Sequence, residues 1–277
     1  MSNVLLIGKD SETTRSIMQA LADKDCSSEC AAGGADAIHR LRRQSFDVLI
    51  TDPETTIEED LALIEEMHEI RPGVKTIILA PHTTPEEVIA ALRARVFVCM
   101  GAPFEADEIA NFAAQAVSDA DWRTDIEVLS AQPQWVSLRA NCRMLTAERV
   151  VSFLRELCSE LPEDTRNDVM LAFREILLNA MEHGAAFNQH KVVEVSAVRT
   201  ERTIVFYVRD PGTGFRRNAI AHAAVANAPD APAAHIEHRD ELGMRPGGYG
   251  ILLAQGIVDE LMYSEVGNEV LLIKHTA

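Results

Sequence analysis

The stretch Glu175–Gly184, EILLNAMEHG, sets three polar side chains, Glu175, Asn179 and His183, four residues apart inside an apolar run. That spacing lines them along one edge of an α-helix. The helix is expected to open at Pro162, with Glu163 and Asp164 complementing its dipole, and to stop at Gly184 in the C′ position. Phe173, Ile176, Leu177 and Ala180 make the core stripe, leaving Glu175, Asn179, Glu182 and His183 on another side. Taken alone, such an edge is what any amphipathic helix shows to water. Its neighbours in sequence decide whether it is a site.

Downstream lie two alternating strands, VVEVSAV (192–198) and TIVFYVRD (203–210). The second ends in DPGTGF, so Asp210 stands at a strand end, and Gly212 and Gly214 allow a ligand ring to lie against bare backbone. About thirty residues further on, RPGGYG (245–250) opens an apolar helix. Glycine amides at a helix N-terminus form an anion cradle. A closing strand pair, LMYSEV and EVLLIKH, is read as a hairpin turning at Gly267-Asn268. Upstream, a strand at 126–130 precedes a helix in TAERVVSFLRELCSEL (146–161).

These motifs in this order, ExxxNAxxHG, DxGxG at a strand end, a lid-length segment and GGxG opening a helix, resemble the GHKL ATP-binding fold. The nearest likeness is to the anti-sigma-factor serine kinases of bacterial partner switching. The resemblance covers about 126–277 and implies an α+β two-layer domain that binds ATP and Mg²⁺. It implies that Asn179 ligates the metal and Glu175 is the general base for a serine hydroxyl or water. Asp210 would accept from the adenine amino group, Gly212 and Gly214 would shape the adenine pocket, and Gly248 and Gly250 would contact phosphates. Arg245, just before the glycines, reads either as a γ-phosphate contact or as a solvated lid arginine, and His183 is ranked as structural. A helix brings the fourth residue back to within about 6 Å, so base and metal ligand share one face. Histidines 222, 235 and 238 in the lid segment lack a Cys or carboxylate partner for a metal set.

The first half alternates strand and helix signals. The strands are NVLLIG (3–8), a weaker segment near 27–32, FDVLIT (46–51), VKTIILA (74–80) and VFVCM (96–100). Helices are expected at 11–23, opened by Ser11, and at 34–43, 58–70, 84–94 and 105–117. Five such units imply a doubly wound parallel sheet. With FDVLITD, the pattern resembles the response-regulator receiver family, a flavodoxin-like fold, and makes Asp52 the candidate phosphoacceptor. The supporting chemistry of that family is replaced. The acidic pair is Gly8-Lys9, the switch hydroxyl position is Ala80, and the lysine position is Ala102. Ordinary phosphorylation of Asp52 is therefore disfavoured. The domain reads as a docking or dimerisation module in which Lys9 is placed to pair with Asp52.

The division is expected near residue 120, giving domains 1–120 and 121–277, with the last receiver helix able to run on into the polar linker DADWRTD (119–125). A histidine kinase would need a dimerisation hairpin carrying a histidine between them, and 120–145 contains none. The 277 residues carry a net charge of -17, which argues against general nucleic-acid or anionic-membrane binding. No apolar run approaches the roughly 20 residues that span a bilayer. Five cysteines without a CxxC pair read as reduced thiols in a cytoplasmic protein. The function expected is an ATP-dependent protein serine kinase with a receiver-like regulatory domain. Its partner would be a protein such as a sigma factor or a serine-bearing antagonist, and the family resemblance implies a homodimer. The alternative is a catalytically silent ATP/ADP-dependent binding switch.

Overall fold

The computed structural model describes residues 2–119, 122–214 and 249–276. The chain divides into two compact units, Met1–Arg123 with Arg155–Glu160, and Thr124–Leu154 with Leu161–Ala277.

In the first unit five strands, β1 (Ser2–Ile7), β2 (Cys26–Ala31), β3 (Val48–Ile50), β4 (Lys75–Ala80) and β5 (Val98–Gly101), form a parallel sheet in the order β2-β1-β3-β4-β5. Helices α1 (Glu12–Ala22), α2 (Gly34–Arg43), α3 (Ile57–Ile70), α4 (Pro85–Arg93) and α5 (Ala106–Ser118) connect or follow the strands. All six residues of β4 are buried, the mark of a strand covered on both faces. Helix starts obey local chemistry. Ser11 caps α1 by accepting from the Thr14 amide, and Thr56 and Thr84 form capping boxes with Glu59 and Glu87.

Two expectations about the end of this unit fail. Helix α5 stops at Ser118 instead of running on, and the polar stretch after it is not simply solvated linker. Trp122 is buried edge-on against Phe97, with ring centroids 5.8 Å apart, and Arg123 lies over its ring and donates to the Pro72 carbonyl. Asp125, at the start of the second unit, is also buried, its carboxylate accepting from Arg143 at 2.9 Å and from Asn141 Nδ2 at 3.2 Å. Polar composition hid these anchors.

The second unit is a six-stranded antiparallel sheet, order β10-β11-β9-β8-β7-β6. Its strands are β6 (Ile126–Gln132), β7 (Trp135–Asn141), β8 (Val192–Arg199), β9 (Thr203–Arg209), β10 (Glu260–Tyr263) and β11 (Glu269–His275). Helices α7 (Glu163–Asn179) and α8 (Gly250–Ile257) lie within this unit, as does α6 (Met144–Leu157) as far as Leu154. Alternation buries Ile204, Phe206 and Val208 of β9, and Phe173 of α7 meets Phe206 with ring centroids 4.9 Å apart. The register sets Glu127, Arg139, Glu194, Arg209 and Glu269 in one row across five strands, each joined to the next by an ion pair of 3.2 to 3.9 Å. A one-residue slip would break that row and bury it.

Candidate functional site

Helix α7 carries Glu175 and Asn179 one turn apart, on the flank of a face that buries Phe173, Ile176 and Leu177. Both polar residues are partly buried. What faces them is Gly250, the first residue of α8. A β-carbon built there would stand 2.7 Å from Glu175 Oε2 and 3.2 Å from Asn179 Nδ2. A β-carbon would force the tip of Glu175 to move, whereas the bare α8 backbone lies against the carboxylate and the amide directly. Residues 71 and 75 positions apart in sequence thus meet at a helix N-terminus.

The far end of the same stretch reaches the second motif. Beyond Asn179 the helix widens into a single π-turn, Ala180–Gly184. A β-carbon on Gly184 would run into the Asp210 carboxylate, standing 2.5 Å from Asp210 Cβ, and one on Gly212 would lie 2.7 Å from Asp210 Oδ1 and 2.9 Å from Gly184 Cα. Left-handed backbone falls instead on Ala186 (φ 54°) and Phe187 (φ 48°). The C′ reading of Gly184 is therefore wrong in its reason: the glycine makes room for Asp210. Pro162 likewise takes the N-cap position, one residue before the helix.

Asp210 is half-buried and held from three sides. The Gly212 amide donates to Oδ1 at 2.7 Å, the Asp210 amide donates to the Asn268 carbonyl at 3.0 Å, and Asn268 Nδ2 donates to the Asp210 carbonyl at 3.3 Å. Burial raises the Asp210 carboxyl above its ordinary value, opposed by the Gly212 hydrogen bond and the charge of Lys191. Beside it, burial and then the Asp210 charge push the enclosed Cys142 thiol up to about 11, opposed by Lys191. Gly214 (φ 76°) passes so close to the Val266 carbonyl that a β-carbon would collide with it. The loop Ser264–Asn268 therefore braces the DxGxG loop. It is longer than the two-residue hairpin turn expected at Gly267-Asn268, since the last ladder pair is Tyr263 with Val270 and the Ser264 amide donates to Glu269.

In the first unit Asp52 follows β3. Gly8 (φ 144°) is packed against it, with a β-carbon position 3.2 to 3.3 Å from the carboxylate atoms. Oδ1 accepts from the Glu54 amide at 3.0 Å, a local turn bond. The expected Lys9 pairing is not made: Lys9 is exposed and forms no ion pair with Asp52, while Asp10 is engaged by Arg15 at 2.7 Å. Behind the loop, Asp60 of α3 is buried, and its Oδ1 accepts from Thr55 at 2.8 Å.

Two family models match the two halves: Histidine kinase-like ATPase domain over residues 138–274, and Response regulator receiver domain over residues 4–114. The chain joins a receiver to a histidine kinase-like ATPase domain. The receiver is flavodoxin-like, and the ATPase domain is the α+β unit built on the antiparallel sheet. Transcriptional regulatory protein GlrR of Escherichia coli (strain K12) is 26% identical over 119 residues, 43% of this chain and 26% of that protein. Transcriptional regulatory protein QseF of Escherichia coli O157:H7 matches to the same extent. The match thus spans about a quarter of these curated relatives' length. A CheY-like receiver domain protein from Methanospirillum hungatei JF-1 is 20% identical, covering 42% of this chain and 94% of that one, with a TM-score of 0.39. A response regulator from Thermotoga maritima is 20% identical over 43% of this chain and all of that one, with a TM-score of 0.38.

The architecture is that of an ATP-binding signalling regulator. Within the ATPase domain, Glu175, Asn179 and Gly250 meet at one end of the EILLNAMEHG stretch, and Asp210 and Gly212 at the other. Arg245, Gly248 and the three lid histidines lie outside the described residues. His183 is exposed. Asn268 was missed as a site residue, although Gly267-Asn268 stood out as turn chemistry. Cys142 carried no signal at all. Among the described residues no group of three or more His, Cys, Asp or Glu could hold a metal. The bare backbone at Gly250, opening α8, and the partly buried carboxylate at Asp210 fit an adenine nucleotide. No helix among the described residues is long and apolar enough to cross a membrane.

Proposed function

We propose that the ATPase domain binds Mg-ATP along the EILLNAMEHG stretch and transfers the γ-phosphoryl group to a serine on a protein partner. The observation that supports this reading is Gly250 set against both Glu175 and Asn179, which brings a carboxylate, a side-chain amide and the start of a helix together. Bound magnesium supplies charge neutralisation across the phosphates. The chain's own residues do the rest. Asn179 offers its amide oxygen to the metal, and the amides opening α8 receive phosphate oxygens. Asp210 accepts from the adenine amino group. Glu175 takes the proton from the attacking hydroxyl as its oxygen bonds the γ-phosphorus and ADP leaves. The partner would be a sigma factor or a serine-bearing antagonist, met in the cytoplasm by a homodimer, with the receiver as docking or dimerisation module.

The test is incubation with γ-labelled ATP and candidate serine-bearing antagonists, wild type against Glu175→Ala. Label should pass to a serine with wild type and fall at least a hundredfold with the variant. No transfer by either protein, despite tight nucleotide binding, would leave the silent-switch reading standing. Asn179→Ala should bind Mg-ATP at least tenfold more weakly, and unchanged affinity would undo the metal-ligand role.

A further inference from the structure

We infer that Arg174, clamped by Glu148, is the positioning residue that fixes the Glu175 carboxylate for catalysis; this rests on Glu175 being the base. Consecutive residues of a helix project about 100° apart, so Arg174 and Glu175 do not meet through helix geometry alone. The contact is made by α6. Arg174 Nε donates to both Glu148 oxygens at 3.2 Å, and Nη2 donates to Oε1 at 2.5 Å. That fork occupies two of the three guanidinium nitrogens and leaves Nη1, which lies 3.6 Å from Glu175 Oε1. The separation is an ion pair, too long for a hydrogen bond.

The other Glu175 oxygen, Oε2, faces the α8 backbone at Gly250. One oxygen is thus paired with a guanidinium while the other lies near a helix start, and the pairing orients the carboxylate before any ligand arrives. All three side chains are only about one-third exposed, at 36% for Arg174 and 28% for Glu148 and Glu175, so the charges are partly shielded from solvent screening. The Glu148 hydrogen bond raises Arg174 above its ordinary value, keeping it cationic. Lysine could supply charge there but not a two-nitrogen fork with a third nitrogen to spare.

The experiment is single-turnover hydrolysis of γ-labelled Mg-ATP by the full chain, with water as acceptor, alongside calorimetric affinity for Mg-ADP and a thermal midpoint. Arg174→Met should slow hydrolysis roughly ten- to a hundredfold while leaving Mg-ADP affinity within about twofold. Arg174→Lys should recover less than half of that loss. Glu148→Gln should fall between, and adding it to Arg174→Met should cost nothing more. A pair that merely ties α6 to α7 would lower the thermal midpoint and leave the rate per folded molecule unchanged, which would overturn the inference. Wild-type hydrolysis by Glu175→Ala would instead overturn the base reading beneath it. Where turnover is slow, a crystal structure of Arg174→Met with Mg-ADP gives the second readout. Glu175 left in its wild-type rotamer would also overturn the positioning role.

Discussion

A β-carbon on Gly184 collides with the Asp210 carboxylate, and Gly212 closes the same space from the other side. Gly184→Ala should therefore displace Asp210, costing about 1–3 kcal/mol and at least tenfold in nucleotide affinity. Urea unfolding and Mg-ADP titration measure the two losses, and retention of full affinity would break the link between the first motif and adenine recognition. Asp60 gives the second residue-scale outcome. Burial raises its carboxyl from 3.8 to about 6, with the Asp52 and Glu59 charges adding and hydrogen bonds from Thr51 and Thr55 opposing. The folded receiver thus prefers Asp60 protonated. This contribution is fully present below the unfolded value near 3.8 and is lost as pH rises through about 6. The gap corresponds to about 3 kcal/mol. Relative to Asp60→Ala, the wild-type receiver should gain up to that amount between pH 8 and pH 4. Trp122 fluorescence in a Trp135→Phe background reads it, and a difference independent of pH would sink the assignment.

At the scale of the element, α8 contains its own control. Glycine inside a helix costs roughly 0.5–1 kcal/mol against alanine, so Gly→Ala normally stabilises. Gly256 has nothing within 4 Å of its β-carbon position, whereas Gly250 faces Glu175 and Asn179. Gly256→Ala should stabilise the ATPase domain by about 0.5–1 kcal/mol with nucleotide affinity intact, and Gly250→Ala should lower affinity at least tenfold. Equal behaviour of the two variants would remove the cradle from the site. Elements also show what was legible in the sequence and why. Receiver helices were readable because caps such as Ser11 and Thr84 are local chemistry. Strand β7 is given no element in the sequence reading, although Val136, Leu138 and Ala140 alternate and are buried. Gly184 was seen but misread, because its partner lies across space, and Asn268 for the same reason was seen only as a turn. The charge of Lys9 suggested a pairing with Asp52 that an exposed side chain does not make.

Across the whole molecule, 43 acidic residues stand against 26 basic ones. Such a balance offers no broad basic patch for the phosphate chain of the proposed ligand, which leaves backbone amides, a helix N-terminus and a metal to carry most of its charge. The proposed nucleotide footprint covers three separated segments of the ATPase domain and none of the receiver. Hydrogen exchange over the full chain tests this distribution. Mg-ATP at a hundredfold excess over its Kd adds about 2.7 kcal/mol to whatever opening requires release of the ligand, slowing exchange there by up to ~100-fold. Protection should rise together over Glu175–Gly184, 209–214 and Tyr249–Ile257, and leave Thr51–Asp60 unchanged. A phosphodonor with Mg²⁺ should leave Thr51–Asp60 unchanged too, with no phosphoryl mass added, because Gly8 supplies no carboxylate there to hold the cation beside Asp52. Protection limited to one of the three segments would separate motifs that the fold brings together in pairs. Equal protection around Asp52 would give the receiver a nucleotide or phosphoryl site of its own.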